Sequence, residues 1–399
     1  MLRKPLAVRL PAALAAAAAL ILTASCGSPG SGGATGSKAS DPVKVGLVYS
    51  KSGPLATYGK QYLEGFEAGL DYATKGTGKV GGRKIEVTQA DDAGDPSKAV
   101  AAAKDLIGQG YKIIAGATSS GVATQVSPLT EQNKVLFLSG PAATDAVTGA
   151  GPYTFRSGRQ TTQDINTAAA FVGDMSGKKV TVFAQDNAFG QANAAGVKAV
   201  LAPQGAKVES LLVPAAANDF TPFATQAKKA GADLMFVAWA GTSAKAMWTA
   251  LGQQGVFEST KVVTGLDIEA TWPSYGKVAE HVDFLAHYFA GAAGTEAEKA
   301  MTERVTEAGG QVGLFTVDGF TAAQMIVHAV GKGTSADAMA KALEGWSFEG
   351  VKGEITVRAE DHALLQPMFQ ARLKNGTPPT AELVKTLEAD AVAPGVVKK

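Results

Sequence analysis

A single cysteine, Cys26, occurs in this chain of 399 residues, and its isolation excludes several kinds of protein. A disulfide scaffold needs paired cysteines, and a thiolate zinc site needs several of them. The four histidines do not form an H-E-x-x-H motif, and the phosphate-binding pattern G-x-x-x-x-G-K-[ST] does not occur. The sequence therefore predicts no metal site, no bound nucleotide and no other cofactor.

Charge is also scarce, since only 18% of the residues are charged and the net charge is +1. Residues 1–25 contain three basic residues and no acidic ones, so the chain without them has a net charge of −2. This balance gives no electrostatic footprint for nucleic acid, and we expect none as a partner. The apolar run of residues 12–22 is shorter than the ~20 residues that a membrane-spanning helix needs.

The N-terminal segment has the layout of a secretory signal. Basic residues precede the apolar run, small residues follow it, and Cys26 comes next. This boundary resembles the lipobox of bacterial lipoproteins, which implies a signal peptide over 1–25 and an extracytoplasmic protein anchored to the membrane through lipidated Cys26. Residues 26–42 would then form a flexible tether. Thr23 stands where the lipobox prefers leucine, so a plain signal peptide with an incidental cysteine is the alternative.

From Val43 onward, short β-branched runs alternate with longer segments of helical periodicity. This order predicts parallel strands covered by helices on both faces. The pattern begins again after residues 153–156, and some 350 residues exceed what one core usually holds. We therefore predict an α/β fold with two doubly wound, parallel-sheet lobes. Such sheets bind ligands beyond the carboxyl ends of their strands, where the strand order reverses.

Polar residues follow several predicted strands. Ser119 and Ser120 join a buried strand to the start of a helix, where hydroxyls and unpaired backbone N–H groups favour a carboxylate. The alternative is that one of these serines only caps the helix. The segment 139–144 and Asp267 also follow strands, and their hydroxyl, carbonyl and carboxylate oxygens could hold an ammonium group. A turn or cap role is the alternative for Asp267.

The stretch around Ser119 also comes close to the G-x-S-x-G elbow of serine hydrolases, with Ala117 in place of the first glycine. Asp318 and His328 could complete a triad, but they lie ten residues apart on one predicted helix, roughly 15 Å along its axis. We therefore expect a binding protein rather than an enzyme, with a serine hydrolase as a remote alternative.

A series of short motifs makes a more specific pattern through its order and spacing. These motifs are Ser52-Gly53-Pro54, Tyr58-Gly59, Gly81-Gly82, Asp91-Asp92, Asp95-Pro96, Ser119-Ser120, Pro141-Ala142-Ala143-Thr144, Phe155-Arg156, Asn187-Ala188-Phe189-Gly190, Asp219-Phe220, Ala230-Gly231-Ala232-Asp233 and Gly265-Leu266-Asp267. With them the chain resembles the leucine-isoleucine-valine-binding protein family, the type I periplasmic solute-binding proteins of ABC importers.

The resemblance implies a type I periplasmic-binding-protein fold whose lobes are joined by a three-stranded hinge. The N-terminal lobe would comprise 43–156 plus 290–364, and the C-terminal lobe 157–289 plus 365–399. A monomeric protein would close its lobes on a small-molecule ligand and deliver it to an ABC permease. A sensor of an amide or aromatic acid that serves a signalling partner is the alternative.

The resemblance also implies site residues. Ser120 with its neighbour Ser119, the backbone of Ala142 and the hydroxyl of Thr144 would hold an amino acid on the first lobe, and Asp267 would neutralise its ammonium from the second. The side-chain pocket would be walled by three aromatic residues, Tyr58, Phe189 and Trp239. Phe189 lacks the usual tyrosine hydroxyl and Asp267 is shorter than the usual acid, so we expect an amino-acid-like ligand, branched-chain or related.

Overall fold

A computed structural model describes residues 41–171, 173–374 and 376–398 of the chain. The predicted signal peptide, Cys26 and most of the tether lie outside these residues. In chain order the strands are β1 (Val43–Tyr49), β2 (Lys79–Val80), β3 (Arg83–Asp91), β4 (Ile113–Gly116), β5 (Leu136–Ser139), β6 (Thr154–Arg156), β7 (Lys179–Asp186), β8 (Lys207–Pro214), β9 (Leu234–Ala238), β10 (Lys261–Gly265), β11 (Val282–Ala286), β12 (Ser347–Gly350), β13 (Gly353–Val357), β14 (Leu364–Leu365), β15 (Met368–Lys374) and β16 (Thr380–Leu387).

The α-helices alternate with these strands through most of the chain. They are α1 (Ala56–Ala73), α2 (Pro96–Gly108), α3 (Ser120–Gln132), α4 (Thr161–Ala169), α5 (Ala188–Leu201), α6 (Thr221–Ala230), α7 (Ala244–Gln253), α8 (Glu296–Glu307), α9 (Thr316–Lys332), α10 (Ala336–Leu343) and α11 (Ala389–Val392). No helix within the described ranges is both long enough and apolar enough to cross a bilayer.

The first sheet has the strand order β2-β3-β1-β4-β5-β6, and all its pairs are parallel except β2 with β3. Strands β4 and β5 are buried along their whole length, which follows from helices covering both faces of a parallel sheet. The order reverses between β1 and β4. The loops after these two strands therefore diverge to opposite faces and leave a crevice between them.

The second sheet has the order β16-β15-β11-β10-β9-β7-β8, and its order reverses between β7 and β9. Strands β7 to β11 pair in parallel, whereas β15 and β16 are antiparallel additions at one edge. The sheet is therefore mixed rather than purely parallel. The cause is that β15 and β16 form a hairpin, whereas a parallel pair needs a long crossover connection.

The chain crosses three times between the lobe of the first sheet and the lobe of the second sheet, after β6, after β11 and between β14 and β15. A third sheet, β12-β13-β14, packs its apolar residues Ile355, Val357 and Leu364 into the core that contains β1. Sequence periodicity did not predict α10, β16 or the short strands β2, β12 and β14. These elements are too short or too irregular in polarity for a periodic signal.

Helices α1 and α9 pack closely because glycines face the contact. A Cβ atom at Gly319 would overlap the carbonyl oxygen of Tyr62, and one at Gly65 would overlap that of Thr316. A Cβ atom at Gly331, near the end of α9, would meet only a side-chain atom of Val80 at 3.6 Å, an ordinary contact. The two backbones can therefore approach only where the side chain is missing.

We expect Gly319→Ala to lower the free energy of unfolding by about 1–3 kcal/mol, because the two helix backbones would have to separate. Gly331→Ala is the matched control on the same helix, and it should be neutral or slightly stabilising because alanine favours helix. Urea unfolding of the two variants measures both effects. Equal stabilities would contradict the close approach.

Candidate ligand-binding site

A cavity of about 640 Å³ lies between the two sheets, at the carboxyl ends of their strands. This volume is within the range of small-molecule sites in proteins. Six of the eight residues predicted for the site line it, namely Tyr58, Ser119, Ser120, Phe189, Trp239 and Asp267. They follow β1, β4, β7, β9 and β10, which include both pairs of strands where the order reverses.

The turn between β4 and α3 positions the two serines. Gly116 has φ of 119°, and a Cβ atom there would overlap the carbonyl oxygen of Val48, so glycine is required. Ala117 follows with φ of 66° and donates its N–H to the same oxygen at 2.8 Å. Ser119 then occupies the position before α3, but its hydroxyl makes no capping bond. The hydroxyl therefore remains available to the cavity.

The loop 141–144 is placed differently from what the resemblance implied. Pro141 and Ala143 line the cavity, whereas Ala142 and Thr144 do not. The N–H of Ala142 donates to the Ala117 carbonyl at 3.1 Å, and the Thr144 hydroxyl accepts from the N–H of Ala146 at 3.2 Å. The ligand contacts of Ala142 and Thr144 thus stay predictions, and neither residue is in the cavity wall.

All four carbonyl oxygens of this loop accept hydrogen bonds from within the protein. Pro141 accepts from Arg159 at 2.7 Å, and Ala142 and Thr144 accept from Arg156 at 3.0 and 3.2 Å. Ala143 accepts from the N–H and the hydroxyl of Thr161 at 2.7 and 3.0 Å. The carbonyls of this loop are consequently engaged within the protein.

Asp267 and Tyr58 join the lobes across the cavity. The Tyr58 hydroxyl donates to Asp267 Oδ1 at 2.7 Å and accepts from the N–H of Gly241 at 3.2 Å. Asp267 Oδ1 also accepts from the N–H of Ile268 at 2.8 Å. Burial raises the pKa of Asp267, and the Tyr58 hydrogen bond offsets part of that rise. Burial and the neighbouring carboxylate raise the pKa of Tyr58 well above its usual value, so Tyr58 remains a donor.

The aromatic wall is held by its own contacts. Asn187 caps α5 by accepting from the N–H of Gly190 at 2.9 Å, which places Phe189 in the first turn of that helix. Trp239 donates its indole N–H to Ser243 at 3.0 Å and packs against Phe220, with ring centroids 5.3 Å apart. These contacts fix large apolar surfaces beside the polar groups.

The residues of the cavity wall that sequence reasoning missed include Arg159, Asp164, His287 and Phe315. Arg159 donates from Nε to Asp164 Oδ2 at 3.2 Å, and both side chains are almost fully buried. Burial lowers the pKa of His287 well below its usual value, so the imidazole is neutral. For Arg159, the available signal was a second arginine three residues after Arg156, the last residue of β6, in a chain with little charge.

The groups proposed for hydrolysis do not come together. His328 stacks on Trp346 with ring centroids 3.9 Å apart, and neither His328 nor Asp318 lines the cavity. Asp318 lies near His287 instead, with 3.8 Å between Oδ2 and Nε2. Among the described residues, no group of three histidine, cysteine, aspartate or glutamate side chains is arranged to hold a metal ion.

The raised pKa of Asp267 gives a pH-dependent stability in the ligand-free protein. A carboxyl group whose pKa is raised by folding stabilises the fold below its unfolded pKa of about 3.9, and this contribution is lost as the pH rises through the folded value. Asp267→Asn removes that loss. The variant's free energy of unfolding relative to wild type should therefore increase from about pH 4 to about pH 7, as measured by denaturant unfolding at each pH.

Asp233→Asn is the control with the opposite sign. Asp233 accepts from the N–H of Lys179 at 2.8 Å, which lowers its pKa. Its contribution is present above the unfolded pKa and is lost as the pH falls. The relative stability of Asp233→Asn should therefore decrease over the same pH range. Parallel trends for the two variants would show that Asp267 is not held at a raised pKa.

Comparisons with known proteins agree with this geometry. A family model described as periplasmic binding protein matches residues 42–378. A Leu/Ile/Val-binding protein homolog 3 from Brucella melitensis is 31% identical over 49% of this chain and 53% of its own length. Homolog 6 from the same organism is 26% identical over 82% of this chain and 87% of its own. The match thus spans only about half the length of the first of these relatives.

Solved structures are similar over nearly the whole chain. An ABC-type branched-chain amino acid transporter from Rhodopseudomonas palustris is 31% identical with a TM-score of 0.74, over 90% of this chain and 100% of that chain. A solute-binding protein of the same species, in complex with 3,4-dihydroxybenzoic acid, is 26% identical with a TM-score of 0.76, over 87% and 98%.

These matches confirm the predicted two-lobed fold and a binding protein rather than a hydrolase. With the family model covering most of its length, the chain belongs to the periplasmic binding protein family, whose type I fold it shares.

Proposed function

We propose that the protein captures a small, carboxylate-bearing, amino-acid-like ligand between its lobes and presents it to an ABC importer. The observation that carries this proposal is the cavity at which the strand ends of both sheets meet, with hydroxyl donors on one wall and a carboxylate on the other. A zwitterion has complementary charges at its two ends. Each end of the ligand would pair with a protein group that otherwise lacks some of its hydrogen-bond partners.

The carboxylate of the ligand would lie on the first lobe, against Ser119, Ser120 and the first turn of α3, where backbone N–H groups point towards an anion. The ammonium would lie against Asp267, whose carboxylate is exposed to the cavity and accepts from neutral donors only. An ammonium within contact distance would return the pKa of Asp267 towards its usual value. Ligand binding is therefore linked to ionisation of this residue.

Closure of the lobes would convert ligand capture into a signal for the permease. The Tyr58 hydroxyl, on the first lobe, bonds Asp267 and Gly241 on the second, so the closed arrangement brings the two walls together. The three crossing segments would absorb the rotation on opening. We propose that the protein works as a monomer and that its closed outer surface is what the membrane permease recognises. Sensing for a signalling partner stays an alternative use of the same closure.

An aromatic acid is a second candidate ligand, and the composition of the wall favours it. Tyr58, Phe189, Trp239 and Phe315 surround the cavity with ring surfaces. A flat aromatic ring gains contact area against such walls at a small entropic cost. The relative crystallised with 3,4-dihydroxybenzoic acid supports this candidate. Both candidates share the carboxylate and differ in the ammonium.

Calorimetry of the chain lacking residues 1–25 tests the proposal with L-leucine and 4-hydroxybenzoate as probes. We expect at least one acid to bind with a stoichiometry of one. If L-leucine binds, Asp267→Asn should weaken it about 10- to 100-fold, because the ammonium loses a charged partner. Affinity for 4-methylpentanoate, which has the leucine side chain without the ammonium, should be unchanged in that variant.

Asp283→Asn is the matched control, since Asp283 pairs with Lys261 at 3.1 Å on the same lobe and does not line the cavity. It should leave both affinities as in wild type. Mass spectrometry of small molecules that copurify with the protein gives an independent identification. Absence of binding by both acids, together with a copurifying ligand that has no carboxylate, would contradict the proposed function.

The membrane anchor is a separate part of the proposal. Export by residues 1–25 and lipidation of Cys26 would hold the protein at the outer face of the cell membrane, since two acyl chains anchor stably. Cys26→Ser in the full chain should shift the protein from the membrane fraction to the soluble extracytoplasmic fraction and abolish palmitate labelling. Equal labelling of both forms would show that the cysteine carries no lipid.

A further inference from the structure

Arg159 brings a positive charge to the cavity wall. Of the described residues that line the cavity, it is the only lysine or arginine. Its position is not one that the sequence motifs implied for ligand contact. It lies just beyond β6, in the first segment that crosses between the sheets.

The guanidinium is held in a fixed orientation by three contacts. Nη1 donates to the carbonyl of Pro141 at 2.7 Å, and Nε donates to Asp164 Oδ2 at 3.2 Å. Its central carbon lies 5.8 Å from the centre of the ring of Phe315, the residue before α9. A guanidinium already ordered in this way loses little conformational entropy when it binds an anion.

These contacts use only part of the donor capacity of the side chain. A guanidinium has five N–H groups, and the contacts to Pro141 and Asp164 engage Nε and one N–H of Nη1. Within the described residues, Nη2 has no protein acceptor. The Asp164 carboxylate thus binds the guanidinium at Nε and leaves Nη2 available to a second anion.

Most backbone acceptors beside Arg159 are already engaged by the protein. The carbonyl oxygens of the loop 141–144 are engaged by arginine and threonine donors, as described above. The hydroxyls of Ser119 and Ser120 line the same cavity as Arg159. Beside Arg159, one acceptor that remains without a hydrogen bond among the described lining residues is Asp164 Oδ1, and the Ser119 and Ser120 hydroxyls are available as donors.

We propose that Arg159 binds the ligand's carboxylate directly. The site would then require a carboxylate in every ligand, independent of the ligand's other groups. This inference rests on the proposed function, because it assigns a partner within the same cavity. For acids with no ammonium group, the second candidate class above, Arg159 would supply the charge that the site offers to the ligand. Selection of the ammonium would be left to Asp267 alone.

The test compares acids with their carboxamides, which keep the shape and lose the negative charge. L-leucine is paired with L-leucinamide and 4-hydroxybenzoate with 4-hydroxybenzamide, each measured by calorimetry. The double variant Arg159→Met with Asp164→Asn removes the cation without leaving a buried carboxylate unpaired. We expect wild type to bind each acid more tightly than its carboxamide. The ratio of these two affinities should fall by roughly 10- to 100-fold in the double variant.

Arg304→Met with Asp71→Asn is the matched control, because it removes a similar Arg Nε to Asp Oδ2 pair, 2.9 Å long, outside the cavity. It should keep the wild-type ratio. Thermal unfolding checks that both double variants fold. Should the cavity variant not fold, Arg159→Lys keeps the charge but not the fork, and its ratio should fall by a smaller factor.

The outcomes separate the two proposals. An acid that binds wild type with a ratio unchanged in the Arg159 variants would overturn this inference and leave the proposed function intact. Absence of acid binding by wild type would overturn the proposed function and this inference with it. A ratio that collapses for both acids would support Arg159 as the carboxylate partner of amino acids and aromatic acids alike.

Discussion

The buried guanidinium of Arg156 holds together the region on which the site depends. Its side chain is 1% exposed and donates to the carbonyls of Ala142, Thr144, Gly158 and Arg159 and to the hydroxyl of Thr148. Burial lowers its pKa only to about 10, so the charge persists at neutral pH. A buried charge is tolerated where hydrogen bonds surround it. These bonds fix the loop 141–144 and the first crossing segment as one unit, which also places Arg159.

The site also depends on the hydrogen bond between Tyr58 and Asp267, because this bond connects the first lobe to the second. Burial works against ionisation of Asp267, whereas the phenol and the N–H of Ile268 favour it. The free protein therefore carries an acid that is incompletely stabilised in the closed arrangement. A cationic group on the ligand would complete that stabilisation. Specificity for amino acids over plain acids would thus depend on one residue, whereas the carboxylate would be held by several.

Much of the fold could be predicted because strand and helix signals are local. The runs at residues 113–114 and 234–237 are apolar throughout, and the run at 43–48 is interrupted only by Lys44 and Gly46, as expected of strands covered on both faces. The return of α8 to α10 to the first lobe and the antiparallel edge of the second sheet could not be predicted in this way. They depend on packing between segments far apart in the chain, such as the glycine contacts of α1 with α9.

By itself, the sequence determined the alternation of strands and helices and the positions of Ser119, Ser120 and Asp267 after strands, because these are properties of neighbouring residues. The tertiary structure decided which of these groups share a cavity. It also turned the carbonyls of the loop 141–144 towards Arg156, Arg159 and Thr161, and it brought an arginine into the wall. The physical reason is that a buried cation must be surrounded by hydrogen-bond acceptors, and the folded chain decides which oxygens lie close enough to accept.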